Sequence, residues 1–185
     1  MTTTGADLST LLHQDHATAK TLLQGFEAVP VSERQRAFDD IVGELVRHEV
    51  AEEEVLYPTL RDKAANGNAI ADARIAEQAK AEQLLSDMEH DPVNETAFMA
   101  KFHQLRTAVL AHAEAEESTA LPALVASVTP DQLRQLGERY EAAKKLAPTH
   151  PHPNAPDAPP GNLMLGPVAA LFDRARDAVR GVRSR

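Results

Sequence analysis

The sequence predicts an all-α protein, an up-down-up-down four-helix bundle built from a duplicated helical hairpin, followed by a fifth helix and a C-terminal amphipathic helix. Three observations carry this. Apolar residues recur at helical spacing through most of the first 147 positions, and the breaks between the runs are short. The segment at 45–60, LVRHEVAEEEVLYPTL, returns at 109–124 as VLAHAEAEESTALPAL, with His48 on His112, Glu52 on Glu116 and Pro58 on Pro122. The stretch HATAKTLL from His16 also returns, as QAKAEQLL from Gln78, so each half repeats as a pair of helices.

The first helix is capped by Asp7 or Ser9 and carries Leu8, Leu11, Leu12, Ala19, Leu22, Leu23 and Phe26 up to the break at Pro30. Ser32 and Gln35 suggest a capping box for a second helix, which Phe38, Ile41, Val42, Leu45, Val46 and Leu56 extend to about Arg61. Asn66, Gly67 and Asn68 break the chain before a third helix, expected from about Ala69 to Met88 and stopped by Pro92. Asn94 is the expected cap of a fourth helix through Phe98, Phe102, Leu105, Val109, Leu110 and Leu121, with Pro122 kinking or ending it. Thr129, Pro130 and Gln132 mark the start of a fifth helix to about Ala147, with Leu133, Leu136, Tyr140 and Ala143 facing the bundle.

These signals divide the chain into a bundle at 1–147, a proline-rich linker at 148–162 and a basic amphipathic helix at 163–185. The linker carries six prolines between Pro148 and Pro160 and has no apolar period. Beyond it, Val168, Leu171, Phe172, Ala175, Val179 and Val182 share a face among five arginines, which suits folding back on the acidic bundle or pairing in a homodimer.

Composition narrows the chemistry. With no cysteine, any metal must be held by nitrogen and oxygen, and thiol nucleophiles and disulfides are excluded. A net charge of -9 argues against nucleic acid as a partner, because phosphate binding needs a basic face. No apolar run long enough to span a bilayer and no basic-apolar leader are seen, so a cytoplasmic protein is expected.

Each repeated motif places a histidine and a glutamate four residues apart, on one helical face and one turn apart. Two such helices facing each other make a metal clamp from His48, Glu52, His112 and Glu116. Repeat symmetry adds His16, and puts Gln78 where a second such histidine would be expected. Glu53, Glu54, Glu114 and Glu117 read as a solvated acidic face, Tyr57 and Pro58 as residues shaping a helix end, and His13 as a surface residue. His103 lies off the His112 face, and His90, His150 and His152 receive no role.

HEVAE and HAEAE, each followed by glutamate, on a doubled pattern that begins LLHQDH, resemble the hemerythrin family, the HHE cation-binding domains, over about residues 7–125. The resemblance implies a non-heme di-iron centre with His16, His48 and His112 as ligands and Glu52 and Glu116 as bridges. It implies dioxygen, nitric oxide or peroxide as the small ligand, and a role in oxidative-stress sensing or detoxification of reactive oxygen and nitrogen species, or in iron handling. Where the fullest family pattern has two third-helix histidines, this chain has Arg74 and Gln78. Glu82 or Glu49, with Gln78 itself, are the candidates to fill that place. Open alternatives are an iron-responsive regulatory module, a mononuclear or zinc or manganese site, and a bundle that has lost its ion. Whether the protein turns over as an enzyme is left open.

Overall fold

The computed structural model describes residues 5–88 and 91–147, so the expected linker and C-terminal helix, with His90, His150 and His152, lie outside the described residues. Among the described residues there are helices and no strands. The first bundle helix, α1 (Leu8–Gly25), is capped by Asp7, whose carboxylate accepts the Thr10 N–H at 2.9 Å. A short 3-10 turn at Val31–Glu33 opens the second, where the Glu33 N–H reaches the Pro30 carbonyl, and α2 (Arg34–Ala51) follows without a side-chain cap. The Ser32 and Gln35 capping box is therefore not formed, and Gln35 instead donates to Asp39, four residues along α2.

Helix α2 continues through a π-helical segment, Glu52–Leu56, into α3 (Tyr57–Lys63). After a turn with Asn66 at φ 57°, α4 (Gly67–Met88) returns along the bundle. The fourth helix starts at Thr96 with Glu95 at the cap position and no side-chain cap bond, so Asn94 does not cap it. It runs as α5 (Thr96–Ala115), a second π segment Glu116–Ala120, and α6 (Leu121–Ser127). Helix α7 (Pro130–Leu146) is the fifth, and the Thr129 and Gln132 capping box is complete there.

The two π segments explain why Pro58 and Pro122 do not stop their helices. Proline lacks an N–H and its ring collides with the carbonyl four residues back. In each repeat the wider turn, in which the Tyr57 N–H bonds to the Glu52 carbonyl, carries the chain past this point. The expected kink at Pro122 is thus a single wide turn, after which the helix continues to Ser127.

Two apolar layers fill the bundle. One gathers Phe26, Phe38, Phe98 and Phe102, with Phe26 and Phe102 ring centres 4.3 Å apart, and adds Leu45, Ala81 and Val109. The other holds Leu12, Val55, Leu56, Leu60, Ala120 and Leu124, and α7 closes it with Leu136, Tyr140 and Ala143. Along every bundle helix the positions between the two layers are polar: His16, then His48 with Glu52, then Gln78, then His112 with Glu116. A buried polar layer of this kind is expensive unless its groups have partners.

Candidate metal centre

All seven of the residues just placed or adjoining, His16, His48, Glu49, Glu52, Gln78, His112 and Glu116, are buried, with Glu52 and Glu116 fully so. The pseudo-symmetric halves cross at the centre. His16 Nε2 from the first half lies 3.3 Å from Glu116 Oε2 of the second, and Gln78 Nε2 from the second lies 2.6 Å from Glu52 Oε2 of the first. Within each motif, His48 Nε2 is 3.2 Å from Glu52 Oε1 and His112 Nε2 is 3.8 Å from Glu116 Oε2. His16, His48, Glu52 and Glu116 each offer one ligand atom within 4.8 Å of all the others. His112 Nε2, at 3.9 Å from Glu52 Oε2, stands at the edge of that group.

The Nδ1 atoms point outward, each to an anchor. His16 Nδ1 lies 2.9 Å from Glu117 and His112 Nδ1 lies 3.1 Å from Glu77. His48 Nδ1 lies 2.7 Å from the Tyr140 hydroxyl, which donates to Asp15 Oδ2 at 2.7 Å. Outward anchors on Nδ1 leave each Nε2 lone pair facing the centre, the usual arrangement around a ligating histidine. The acidic-face reading of Glu117 is corrected accordingly: it is half-buried and tied to a site histidine. Tyr57 is also more than a helix-end residue, since its hydroxyl donates to Glu116 Oε1 at 2.9 Å and lies 3.4 Å from Glu52 Oε2.

Electrostatics follow from packing two carboxylates together. Burial and the neighbouring Glu116 charge push the Glu52 carboxyl well above the ordinary range. Burial acts on Glu116 the same way, but hydrogen bonds with His16 and Glu52 outweigh it and hold Glu116 low, so the pair keeps one proton between them. Burial also raises Glu49, helped by the charges of Glu82 and Glu53. At Asp15, burial is overcome by hydrogen bonds from His48, Lys144 and Tyr140, which keep its carboxyl well below the usual range.

The donor set fits a metal cation. His16 Nε2, His112 Nε2, Glu52 Oε1, Glu116 Oε2 and Gln78 Oε1 are buried and have no hydrogen-bond partner, although the atoms around them are well satisfied. Five unpaired nitrogen and oxygen donors converging in one buried layer suit a borderline or hard divalent ion. Beside them a cavity of about 20 Å³, room for a water-sized species, is lined by His16, His48, Glu49, Gln78 and His112 on one side and Ala19, Leu45, Ala81 and Val109 on the other.

The remaining sequence candidates fall outside this group. Glu82 is half-buried and makes itself felt through Glu49. Arg74 pairs with Glu77 at 2.6 Å, on the side away from Glu52. His13 bonds to the Ser9 carbonyl at the surface, and His103 sits 3.3 Å from Glu27.

Fold and site together define a helical bundle with a His/Glu cluster able to hold a metal ion. The family model for the hemerythrin HHE cation-binding domain matches residues 7–124, and the chain belongs to that family. It is 29% identical over 140 residues to an uncharacterized hemerythrin-like protein of Schizosaccharomyces pombe, covering 75% of this chain and 69% of that one. A DNA nickase of Nostoc is 31% identical over 110 residues, but these span 60% of this chain and only 31% of the nickase. Among solved structures, a hemerythrin HHE cation-binding domain-containing protein from Mycobacterium kansasii superposes with a TM-score of 0.68 at 26% identity, covering 76% of this chain and 86% of that one.

Proposed function

We propose that the protein is a non-heme di-iron protein of this family that binds a small ligand, dioxygen, nitric oxide or peroxide, and acts in sensing or detoxifying reactive oxygen or nitrogen species. The observation that carries this reading is the set of unpaired buried donors facing a cavity of diatomic size. His16, His48 and His112 would supply imidazole nitrogens, and Glu52 and Glu116 would bridge. When bound, two ferrous ions would supply electrons and open coordination positions to the small ligand.

The chain's own residues would do the rest. Tyr57 holds Glu116 in place by hydrogen bond. Leu45, Ala81 and Val109 make the far wall of the cavity apolar and keep bulk water from it. Gln78 is neutral and a weaker ligand than imidazole, so the ion near Glu52 would have fewer protein donors and a freer face. That freedom favours turnover or sensing over reversible carriage.

Metal analysis of the purified protein tests the reading. About two irons per chain, with oxo-to-iron charge-transfer absorption in the near ultraviolet, is the expected result; a folded protein that takes up no iron overturns it. A single-ion centre is the second reading, favoured by the tight grouping of His16, His48, Glu52 and Glu116 without His112. One metal per chain, unaffected by His112→Ala, would select it. The nickase similarity brings no activity here, since it covers less than a third of that protein.

A further inference from the structure

The two halves of the repeat anchor their motif histidines differently. Asp15 precedes His16 as Glu77 precedes Gln78, so Asp15 and Glu77 are equivalent positions. Glu77 reaches His112 Nδ1 directly, at 3.1 Å. Asp15, one methylene shorter, stops 3.6 Å from His48 Nδ1. The Tyr140 hydroxyl fills the difference, 2.7 Å from each partner. A hydroxyl has one proton; with Asp15 taking it, the Tyr140 oxygen accepts from His48 Nδ1–H. This fixes the tautomer that turns the His48 Nε2 lone pair towards Glu52 and the centre.

Tyr140 comes from α7, beyond the stretch that the family model matches. Its ring is fully buried, and α7 is held against the first two helices by Lys144, which pairs with Asp15 at 2.8 Å and Glu44 at 3.0 Å. We infer that Tyr140, acting with Asp15, is the positioning residue for His48, and that the fifth helix is thereby a working part of the metal centre. The inference rests on the metal-centre reading given above.

The consequence is an asymmetric centre. His16 and His112 are steered by half-exposed glutamates, side chains 39% and 37% accessible, whereas His48 is steered by a buried chain of hydrogen bonds. Displacing α7 would release His48 alone.

The test is Fe²⁺ affinity of the full-length protein, measured anaerobically in competition with a chelator. Tyr140→Phe and Asp15→Asn are each expected to weaken binding about 10–100-fold, the usual cost of losing an outer-shell partner. The double variant should be no weaker than the worse single one, because both act through one hydrogen-bonded chain. A purely structural Tyr140 would lower the melting midpoint of chelator-treated protein and leave Fe²⁺ affinity unchanged. That result, or strictly additive losses, overturns the inference while the metal centre stands. Should Tyr140→Phe fail to fold, Asp15→Asn decides alone, and unchanged affinity overturns the inference. Wild-type protein that binds no Fe²⁺ overturns both readings.

Discussion

Gln78 Nε2 donates a 2.6 Å hydrogen bond to Glu52 Oε2, from the place that repeat symmetry pairs with His16. Replacing it with imidazole should restore a strong donor to the weaker half of the centre. Gln78→His is expected to tighten iron binding by at least about tenfold, since an inner ligand should matter no less than an outer partner. Chelator competition checks this; an unchanged or weaker affinity would mean that position 78 does not face the ion.

Because the polar layer lies between two apolar ones, its unpaired donors penalise the metal-free fold, and an ion that binds only the folded state adds stability by mass action. Free iron at about a hundred times its Kd should add about 2.7 kcal/mol. For a chain of this size that is roughly 5–10 °C in Tm. Melting curves with and without chelator measure it, and coincident curves would count against a site of useful affinity.

Tyr57 is fully buried and satisfies a carboxylate oxygen of Glu116. Tyr57→Phe keeps the ring and strands that oxygen, so chelator-treated protein should lose about 1–3 kcal/mol in urea unfolding. Its equivalent in the other repeat is Leu121, which offers no hydroxyl; Leu121→Met should cost under about 1.5 kcal/mol.

Acid should weaken the contact between the end of the first helix and α5. Arg106, 2.7 Å from Glu27, with His103 nearby, holds the Glu27 carboxyl below its ordinary 4.5. A depressed carboxylate contributes stability above its unfolded pKa and loses it as pH falls through the folded value. The stability gap between wild type and Glu27→Gln should therefore be open at about pH 6 and closed by about pH 3. A gap that widens with acid would contradict the assignment.

At the turn into α4, a Cβ on Gly67 would overlap the Leu60 carbonyl, so α3 and α4 approach through backbone. Gly67→Ala is expected to cost about 1–3 kcal/mol in chemical denaturation, with little change in iron stoichiometry. A neutral outcome would show that the turn yields easily.

The bundle and five of the centre's residues were legible because the sequence states them twice. His48 and Glu52 gain meaning from His112 and Glu116, and His16 from its alignment with Gln78. What the repeat does not duplicate was harder to read. Tyr57 faces Leu121 across the repeat, and Tyr140 lies beyond it, so neither has a second copy to mark it. Asp15 and Glu77 did carry a signal, one position before the aligned pair, but an aspartate and a glutamate differ by a methylene that only the folded distances make significant. The missed caps have another cause: Ser32 and Asn94 are good capping residues, yet 3-10 geometry at one helix start and a later start at the other leave them outside the first turn. The π segments were invisible because they alter backbone pairing while the side-chain period stays nearly helical.

Those wide turns also constrain how the chain can change. Each accommodates one more residue than an α-helix would between the same hydrogen-bonded ends, and each begins at the glutamate of its motif. Deleting a single residue from the Glu53 to Val55 stretch would let the turn tighten to ordinary α geometry and rotate everything beyond it by about 100° relative to what came before. Leu56, Tyr57 and Leu60 would then swing out of the core together. Substitutions within EEEVL and EESTA are local events, whereas a change in their length is a change of register for half a helix.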